Sequence, residues 1–305
     1  MRKVIVTTTI NPPTEAIKKF SAMPGWDLVV IGDQKTPKDY SLTNGLYVTP
    51  EMQEAYDKEF SDALGWNCIA RRNFGLLWAH DMKADIVAVV DDDNIPYENW
   101  GKNIIIGKET EVNYYETTLP AFDPVGATNH NNLWHRGYPL QLIPKRDYSV
   151  KKKKTIVPDV QADFWNGDPD IDAICRMEHA PDCKFDTKYF PIASNRLSPF
   201  NSQNTFLKGS LLKDYFMFPF IGRMEDIWAA YYLEAKTKCN VVYTEASVYQ
   251  SRNVHDLVKD MKQEYLGYEY NFKLVNELPD NAENMMSYLP ERSQQAFKLY
   301  QKHFK

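Results

Sequence analysis

The chain has 305 residues, 43% of them hydrophobic and 25% charged, which is the composition of an ordinary globular protein able to bury a substantial core. Its net charge of −5 excludes the strongly basic surface that is typical of dedicated nucleic-acid-binding proteins. No apolar run approaches the ~20 residues of a transmembrane helix, and the first residues lack the apolar stretch of a signal peptide. The four cysteines are far apart, so we expect a soluble, cytoplasmic protein with reduced thiols.

The first elements predict a β-α-β unit. Residues 3–10 (KVIVTTTI) are rich in β-branched side chains, two prolines end that strand, and Thr14 can cap the helix that follows. Residues 27–32 (DLVVIG) form a second apolar strand, which ends at Asp33. Strands joined in this way lie parallel, and open α/β sheets bind ligands at the carboxyl ends of such strands.

Two further helices are predicted before the next strand. Pro50 is at the first position of one of them, and residues 68–82 form the other, with an apolar stripe and a polar group of Arg71, Arg72 and Asn73. The β-α-β order places these three side chains near the ligand edge, where they could neutralise phosphate. A solvent-exposed arginine pair is the alternative.

Residues 85–90 (DIVAVV) form an unbroken apolar run, which indicates a central strand buried on both faces. Asp91, Asp92 and Asp93 follow it directly. Three adjacent carboxylates repel one another unless a cation lies between them, and Mn²⁺ or Mg²⁺ prefers such oxygen ligands together with substrate phosphate. We expect Asp91 and Asp93 to point to the same side, with Asp93 as the main ligand. A surface acidic turn is the alternative.

The second half of the chain is less regular. Residues 126–200 are interpreted as long loops and short strands that cover the sheet edge. The lysine run 151–154 is interpreted as a solvent-exposed loop, with contact to phosphate or nucleic acid as the alternative. Helices are predicted at 210–216 and 226–237, and a strand at 240–244. We expect a catalytic domain over residues 1–250 and a helical C-terminal segment, residues 251–305, packed on it.

Two segments of this half carry candidate catalytic residues. In the segment HRGYP, Gly137 allows close backbone approach, Pro139 restricts the turn, and Arg136 is expected to be presented rather than buried. Glu225 and Asp226 begin a helix, where Asp226 is either an N-cap or a general base.

Seven segments together resemble the reversibly glycosylated polypeptide family, whose plant members are UDP-arabinopyranose mutases, and the STELLO-type glycosyltransferases. They are VVIGDQKTP (29–37), RRNFGLLWAHDMKADIVAVVDDDN (71–94), WHRGYPLQ (134–141), WNGDPDIDAI (165–174), PFNSQNTFL (199–207), GRMEDIWAAY (222–231) and RNVHDLVKD (252–260). They occur in family order and are spread over residues 25–265.

The resemblance implies a GT-A-type α/β fold with a mostly parallel sheet, a nucleotide-sugar donor and a Mn²⁺ or Mg²⁺ ion at the DXD-like Asp91-Asp92-Asp93. In the mutases the arginine of the RGYP motif is reversibly glycosylated, and Arg136 stands at that position. Mutases carry a histidine where this chain has Gln250, whereas the STELLO-like RNxH pattern supplies His255 as a substitute metal ligand.

The preferred hypothesis is a metal-dependent glycosyltransferase with a UDP-sugar donor, in which Asp226, Arg136 and Glu225 are the catalytic candidates. Thr8 and Asp33 would contact the nucleoside. The alternatives are a pyranose–furanose mutase with Arg136 as the sugar acceptor, and a non-catalytic nucleotide-sugar-binding scaffold. The acceptor (glycan, small molecule or polymer) and a homo-oligomeric state are left open.

Overall fold

The parallel strands that the sequence predicts form one half of the sheet. Strand β1 (Lys3–Thr9) pairs in parallel with β2 (Asp27–Gly32) on one side and with β4 (Ile86–Val90) on the other, and β3 (Leu46–Val48) extends the sheet beyond β2. Strand β4 is buried along its whole length, as its unbroken apolar sequence predicts. The α/β fold class is thereby confirmed.

The computed structural model describes residues 1–251 and 256–304. The other strands are β5 (Asn94–Pro96), β6 (Thr110–Tyr115), β7 (Lys151–Ile156), β8 (Val160–Gly167), β9 (Ile192–Ser194), β10 (Asn204–Lys208) and β11 (Val241–Gln250). The helices are α1 (Glu15–Ser21), α2 (Pro50–Tyr56), α3 (Lys58–Leu64), α4 (Arg72–Asp81), α5 (Ala173–His179), α6 (Glu225–Thr237), α7 (Leu257–Glu277) and α8 (Glu291–Lys302). The strand order is β3-β2-β1-β4-β10-β8-β11-β9-β6-β7, with β5 paired to β11.

Strand β10 decides which loops reach the ligand edge. It runs antiparallel to both neighbours, so its first residue, Asn204, lies beside Val90 at the carboxyl end of β4. The segment before β10 is therefore delivered to the edge where Asp91 follows β4. Strand β8 runs in the direction of β4 and is parallel to β11, so the residues that follow Gly167 arrive at the same edge.

Two of the predicted helix starts are confirmed. Thr14 accepts a hydrogen bond from the Ile17 amide at the start of α1, and Thr49 caps α2 with Pro50 at its first turn. Helix α6 begins at Glu225, with Met224 rather than Asp226 at its N-cap position. Asp226 therefore lies inside the first turn, and its carboxylate is not a helix cap.

Two predicted elements are wrong. The lysine run is not a loop but edge strand β7, which pairs with β6, and an edge strand covered with lysines resists pairing with other chains. Residues 210–216 do not form a helix; a short 3₁₀ turn, Gly209–Leu211, takes their place.

The C-terminal helices pack on the sheet domain. Tyr300 on α8 is fully buried and donates to the carbonyls of Leu212 and Tyr215, while α7 packs on α5. The boundary at residue 250 stays a prediction. Among the described residues, no helix is both long and apolar enough to cross a bilayer.

Candidate active site

Two adjoining clefts lie at the carboxyl ends of the parallel strands. The first cleft, of ≈ 330 Å³, is lined by Thr8, Thr9, Asn11, Arg72, Asp91 and Asp92, among others. The second cleft, of ≈ 350 Å³, is lined by Arg136, Asp170, Gln203, Glu225, Asp226 and Gln263, among others. Asp91 and residues 67–69 line both clefts, so a ligand that occupies both would pass Asp91.

Arg72 is the basic residue of the first cleft. Its Nη2 atom lies 2.6 Å from Oδ1 of Asp91 and 3.2 Å from the Thr8 hydroxyl. Its Nη1 atom donates to the Ser202 carbonyl at 2.7 Å. Burial raises the pKa of the Asp91 carboxyl, and the Arg72 charge only partly offsets this. Nε of Arg72 has no hydrogen-bond partner among the described residues, which leaves a buried donor beside the cleft.

Asp92 is held by the loop that follows β1. Its Oδ2 atom accepts hydrogen bonds from the Thr9 hydroxyl at 2.5 Å and from the Asn11 amide at 3.1 Å. The Thr14 hydroxyl, which also caps α1, donates to the Asp92 carbonyl. These contacts place the Asp92 carboxylate in the wall of the first cleft next to Asp91.

Arg136 is buried in the wall of the second cleft between two carboxylates. Its Nε and Nη2 atoms donate to Asp170 at 2.8 and 2.9 Å, and its Nη1 and Nη2 atoms donate to Asp226 at 2.9 and 3.1 Å. Nη1 also donates to the Arg223 carbonyl. All five N–H donors of the guanidinium are therefore used. The expectation that Arg136 is presented rather than buried is wrong, because it is only 5% exposed.

The glycine beside Arg136 has the role that the sequence predicts. Gly137 has a φ of +89°, and a Cβ atom there would lie 2.2 Å from Cγ2 of Ile227. The backbone therefore packs directly against the start of α6, which brings Arg136 within reach of Asp226.

The segment before β10 links the two clefts. Ser202 donates through its amide and its hydroxyl to Oδ2 of Asp226 at 3.0 and 3.2 Å, and its carbonyl accepts from Arg72. Asn201 donates to Oδ2 of Asp170 at 2.9 Å. Sequence reasoning gave no role to Asp170, Asn201 or Ser202, although all three lie in segments that carry the family resemblance.

Glu225 lines the second cleft next to Asp226 in sequence. Burial, followed by the charge of Asp226, raises its pKa to about 8. Its Oε2 atom has no hydrogen-bond partner among the described residues. Burial acts to raise the pKa of Asp226 as well, but the charge and hydrogen bonds of Arg136 outweigh it and the pKa is lowered.

Comparison with known proteins agrees with the resemblance to the STELLO-type glycosyltransferases. No family model matches the chain. The "Probable glycosyltransferase STELLO1" of Arabidopsis thaliana is 25% identical over 227 residues, and the "Probable glycosyltransferase STELLO2" of the same organism is 23% identical over the same length, in both cases 68% of this chain. The chain is similar to the STELLO-type glycosyltransferases. It spans 29% of the length of STELLO1 and 30% of that of STELLO2.

One solved structure is similar over most of the chain. Glucosyl-3-phosphoglycerate synthase from Mycobacterium tuberculosis, in complex with phosphoglyceric acid, has a TM-score of 0.46 and 11% sequence identity. The match covers 90% of this chain and 80% of that one.

Of the three side chains expected to contact phosphate, Arg72 lines the first cleft, whereas Arg71 and Asn73 do not. Arg71 is fully buried, donates to Gln53 and stacks on Trp66 with 3.6 Å between its Cζ atom and the ring centroid. Asn73 exchanges hydrogen bonds with the backbone of Met217. The expectation that Arg71 and Asn73 contact phosphate is therefore wrong, because both side chains point into the domain.

The two residues expected to contact the nucleoside, Thr8 and Asp33, differ in their hydrogen-bond partners. Thr8 lines the first cleft with its hydroxyl against Arg72. Asp33 also lines it, but its carboxylate accepts from the amides of Asn67 and Cys68 at 2.9 and 3.3 Å. Asp33 thus anchors the loop shared by the two clefts, and its contact with a nucleoside stays a prediction.

The residues expected to bind the metal also differ in where the structure places them. Asp91 and Asp92 line the first cleft, whereas Asp93 is not in the lining of either cleft. The STELLO-like RNxH segment, with His255, lies outside the described residues, so its role stays a prediction. Within the described part of the chain, no group of three or more His, Cys, Asp or Glu side chains could hold a metal. Two adjacent carboxylates fit a cation that completes its shell with phosphate and water.

Proposed function

We propose that this chain is a metal-dependent, GT-A-type glycosyltransferase that uses a nucleotide-diphosphate sugar, with UDP as the nucleotide. The observation that carries the proposal is the pair of adjoining clefts that share Asp91. The first cleft has the acidic and basic groups that a diphosphate needs, and the second has room for a sugar and a proton-accepting carboxyl. The similarity to the STELLO-type proteins supports the same reaction class.

Diphosphate recognition is assigned to the first cleft. Mn²⁺ or Mg²⁺ held by Asp91 and Asp92 would supply positive charge to the diphosphate leaving group. Arg72 positions Asp91 in the wall of the same cleft. Thr9 and Asn11 hold Asp92 through one carboxylate oxygen.

Proton transfer is assigned to Glu225 rather than to Asp226. The acceptor hydroxyl attacks the anomeric carbon, the bond from that carbon to the diphosphate breaks, and its electron pair leaves on the diphosphate oxygen. The hydroxyl proton passes to Glu225, whose pKa of about 8 suits a general base. Asp226 is a weak base because its pKa is lowered. In addition, its carboxylate oxygens accept hydrogen bonds from Arg136 and Ser202.

The geometry of Arg136 opposes the mutase alternative. To accept a sugar, a guanidinium nitrogen must lose a proton and give up at least one hydrogen bond. Two carboxylates raise the pKa of Arg136 well above its usual value, although burial alone would lower it. We assign Arg136 the role of holding Asp170 and Asp226 in the wall of the second cleft.

Product analysis tests the proposal. The protein is incubated with Mn²⁺ and a panel of nucleotide sugars, and free nucleotide diphosphate and isomerised sugar nucleotide are both measured. Release of nucleotide diphosphate without isomer supports a transferase. An isomerised sugar nucleotide would establish the mutase, and the absence of both products would favour the scaffold.

A further inference from the structure

Helix α7 has exposed apolar side chains along its outer face. Val258, Tyr265 and Phe272 are 53%, 63% and 38% exposed. They are seven residues apart, and seven residues make almost two full turns, so the three side chains form one stripe along the helix. The half-buried Met261 and Tyr268 lie on one flank of this stripe. A surface helix normally has polar residues on its outer face, so the stripe indicates a surface that another molecule covers.

The opposite face of α7 is fixed on the domain. Asn271 is buried, donates to the Gly137 carbonyl at 2.9 Å and accepts from Nε1 of Trp228 at 2.8 Å. Gly267 lies so close to Met224 that a Cβ atom there would be 2.4 Å from its Sδ atom. These contacts determine how the helix is rotated about its axis, so the stripe is held facing outward.

The stripe is symmetric about its central residue, Tyr265. Val258 is seven residues before it, and Phe272 is seven residues after it. Two copies of α7 that pack antiparallel across a two-fold axis at Tyr265 would place Val258 of each copy against Phe272 of the other, with the two Tyr265 rings together. A two-fold interface requires such self-complementarity, because the same patch serves both subunits. The symmetry therefore favours a second copy of this chain as the molecule that covers the stripe.

The charges beside the stripe have nearly the same symmetry. Lys262 is three residues before Tyr265 and Glu269 is four residues after it, and both side chains are exposed. In the antiparallel pair, Lys262 of one copy would therefore lie within one residue, about 1.5 Å along the axis, of the position opposite Glu269 of the other. This arrangement gives two equivalent ion pairs in each dimer. A parallel pair would place each charge at the level of a like charge, so the charges favour the antiparallel arrangement.

We propose that the outer face of α7 is a homodimer interface, in which two copies of this chain pack antiparallel through the stripe and are aligned by two ion pairs between Lys262 and Glu269. The inference concerns a surface outside the two clefts and does not depend on the proposed function. Gln263, which lines the second cleft, lies about 200° round the helix from Tyr265, on a side that the pairing does not use. One helix from each copy gives a small interface, so we expect a dimer that dissociates on dilution.

Sedimentation velocity of the protein, from about 1 µM to about 300 µM, tests the inference. We expect the wild type to pass from monomer to dimer as its concentration rises. Tyr265→Glu removes both rings and places two carboxylates at the two-fold axis, so it should raise the dissociation constant of the dimer by at least about tenfold. Gln295→Glu adds the same charge at an exposed site on α8 and should leave the dissociation constant unchanged. A wild type that stays monomeric throughout, or a dimer that Tyr265→Glu leaves intact, would overturn the inference.

Exchange of the two charges tests the antiparallel arrangement. Lys262→Glu alone places like charges opposite each other twice in the dimer, as does Glu269→Lys alone, so each should weaken the dimer several-fold at low salt. The double variant restores opposite charges and should return the dissociation constant to within about twofold of the wild type. A double variant that dimerises no better than either single variant would contradict the inference. Both sites are exposed, so the unfolding midpoints of the variants, measured alongside, should match that of the wild type.

Discussion

Glu225 and Asp226 are adjacent in the first turn of one helix, yet the pKa values of their carboxyls are shifted in opposite directions. Glu225 is raised to about 8 by burial and by the charge of its neighbour, whereas Arg136 lowers the pKa of Asp226 despite burial. Two carboxyls with such separated pKa values can take different roles at one pH. We therefore propose Glu225 as the proton acceptor and Asp226 as the ionised partner of Arg136.

The pH dependence of turnover tests the role of Glu225. We expect kcat/KM of the wild type to rise between about pH 6.5 and pH 8.5, because the carboxyl must ionise before it can accept a proton. Glu225→Gln should lose roughly 10²-fold or more in turnover and should lose this rise. Steady-state rates over the pH range measure both effects. A variant that keeps the pH profile of the wild type would exclude Glu225 as the base.

The same shift predicts a pH dependence of stability. The pKa of Glu225 rises from 4.5 to about 8 on folding, so the folded state binds the proton more tightly. Its contribution to the free energy of unfolding is present at low pH and is lost as pH rises from 4.5 to about 8. Glu225→Gln cannot ionise, so its stability relative to the wild type should increase by a few kcal/mol between pH 5 and pH 8.5, since each pKa unit corresponds to about 1.4 kcal/mol.

Urea unfolding at the two pH values measures this difference, with Glu109→Gln at an exposed site as the matched control. The control should show no such change relative to the wild type. If Glu225→Gln also shows none, the raised pKa is not a property of the folded protein.

Replacement of Arg136 tests its assigned structural role. A lysine ammonium has three donors and no planar fork, so Arg136→Lys cannot hold both Asp170 and Asp226. We expect a loss of about 3–5 kcal/mol in the free energy of unfolding, the scale of a broken buried ion pair. Arg2→Lys, which pairs with Asp27 at the surface, should change stability by less than ~1 kcal/mol. Equal unfolding midpoints for the two variants would refute the role.

Mass spectrometry separates the two enzymatic alternatives. After incubation with Mn²⁺ and the sugar nucleotide that turns over, we expect the intact mass of the protein to be unchanged, because every N–H of Arg136 is hydrogen-bonded. A mass increase of one sugar, localised to Arg136 and removed by excess nucleotide diphosphate, would establish the mutase route.

Local patterns predict the parts of this protein that depend on neighbours in sequence. The unbroken apolar run before Asp91 predicts a buried central strand, and Thr14 and Thr49 predict two helix starts, because each pattern involves residues a few positions apart. The lysine run predicts a loop by its charge, but it forms a strand because it pairs with β6, a partner distant in sequence.

The sequence predicts several residues of the site but not the contacts that orient them. Arg71 and Arg72 are adjacent and identical in type, and it is the contacts of Arg71 with Trp66 and Gln53 that direct it into the domain. Asp170 holds Arg136 across 34 positions, and Ser202 joins Asp226 across 24. Such contacts have no local signal, although the segments that contain them carry the family resemblance.

Calorimetric titration with UDP tests which carboxylates serve the first cleft. We expect Asp92→Asn to weaken Mn²⁺-dependent UDP binding by at least about tenfold, because Asp92 lines the cleft and a neutral amide is a poorer ligand. Asp93→Asn should have a smaller effect, since Asp93 is in the lining of neither cleft. Asp182→Asn, at an exposed position, is the control. A larger effect for Asp93→Asn would restore the expectation from sequence.

The rate of nucleotide diphosphate release from the sugar nucleotide that turns over tests the central claim most directly. It is measured with Mn²⁺ and with EDTA, for the wild type, Asp92→Asn and Asp182→Asn, per folded molecule. Our account predicts release by the wild type and by Asp182→Asn with Mn²⁺ alone, and its loss in EDTA and in Asp92→Asn. Release that is equal in EDTA, or undiminished in Asp92→Asn, would contradict a metal-dependent transferase at this cleft.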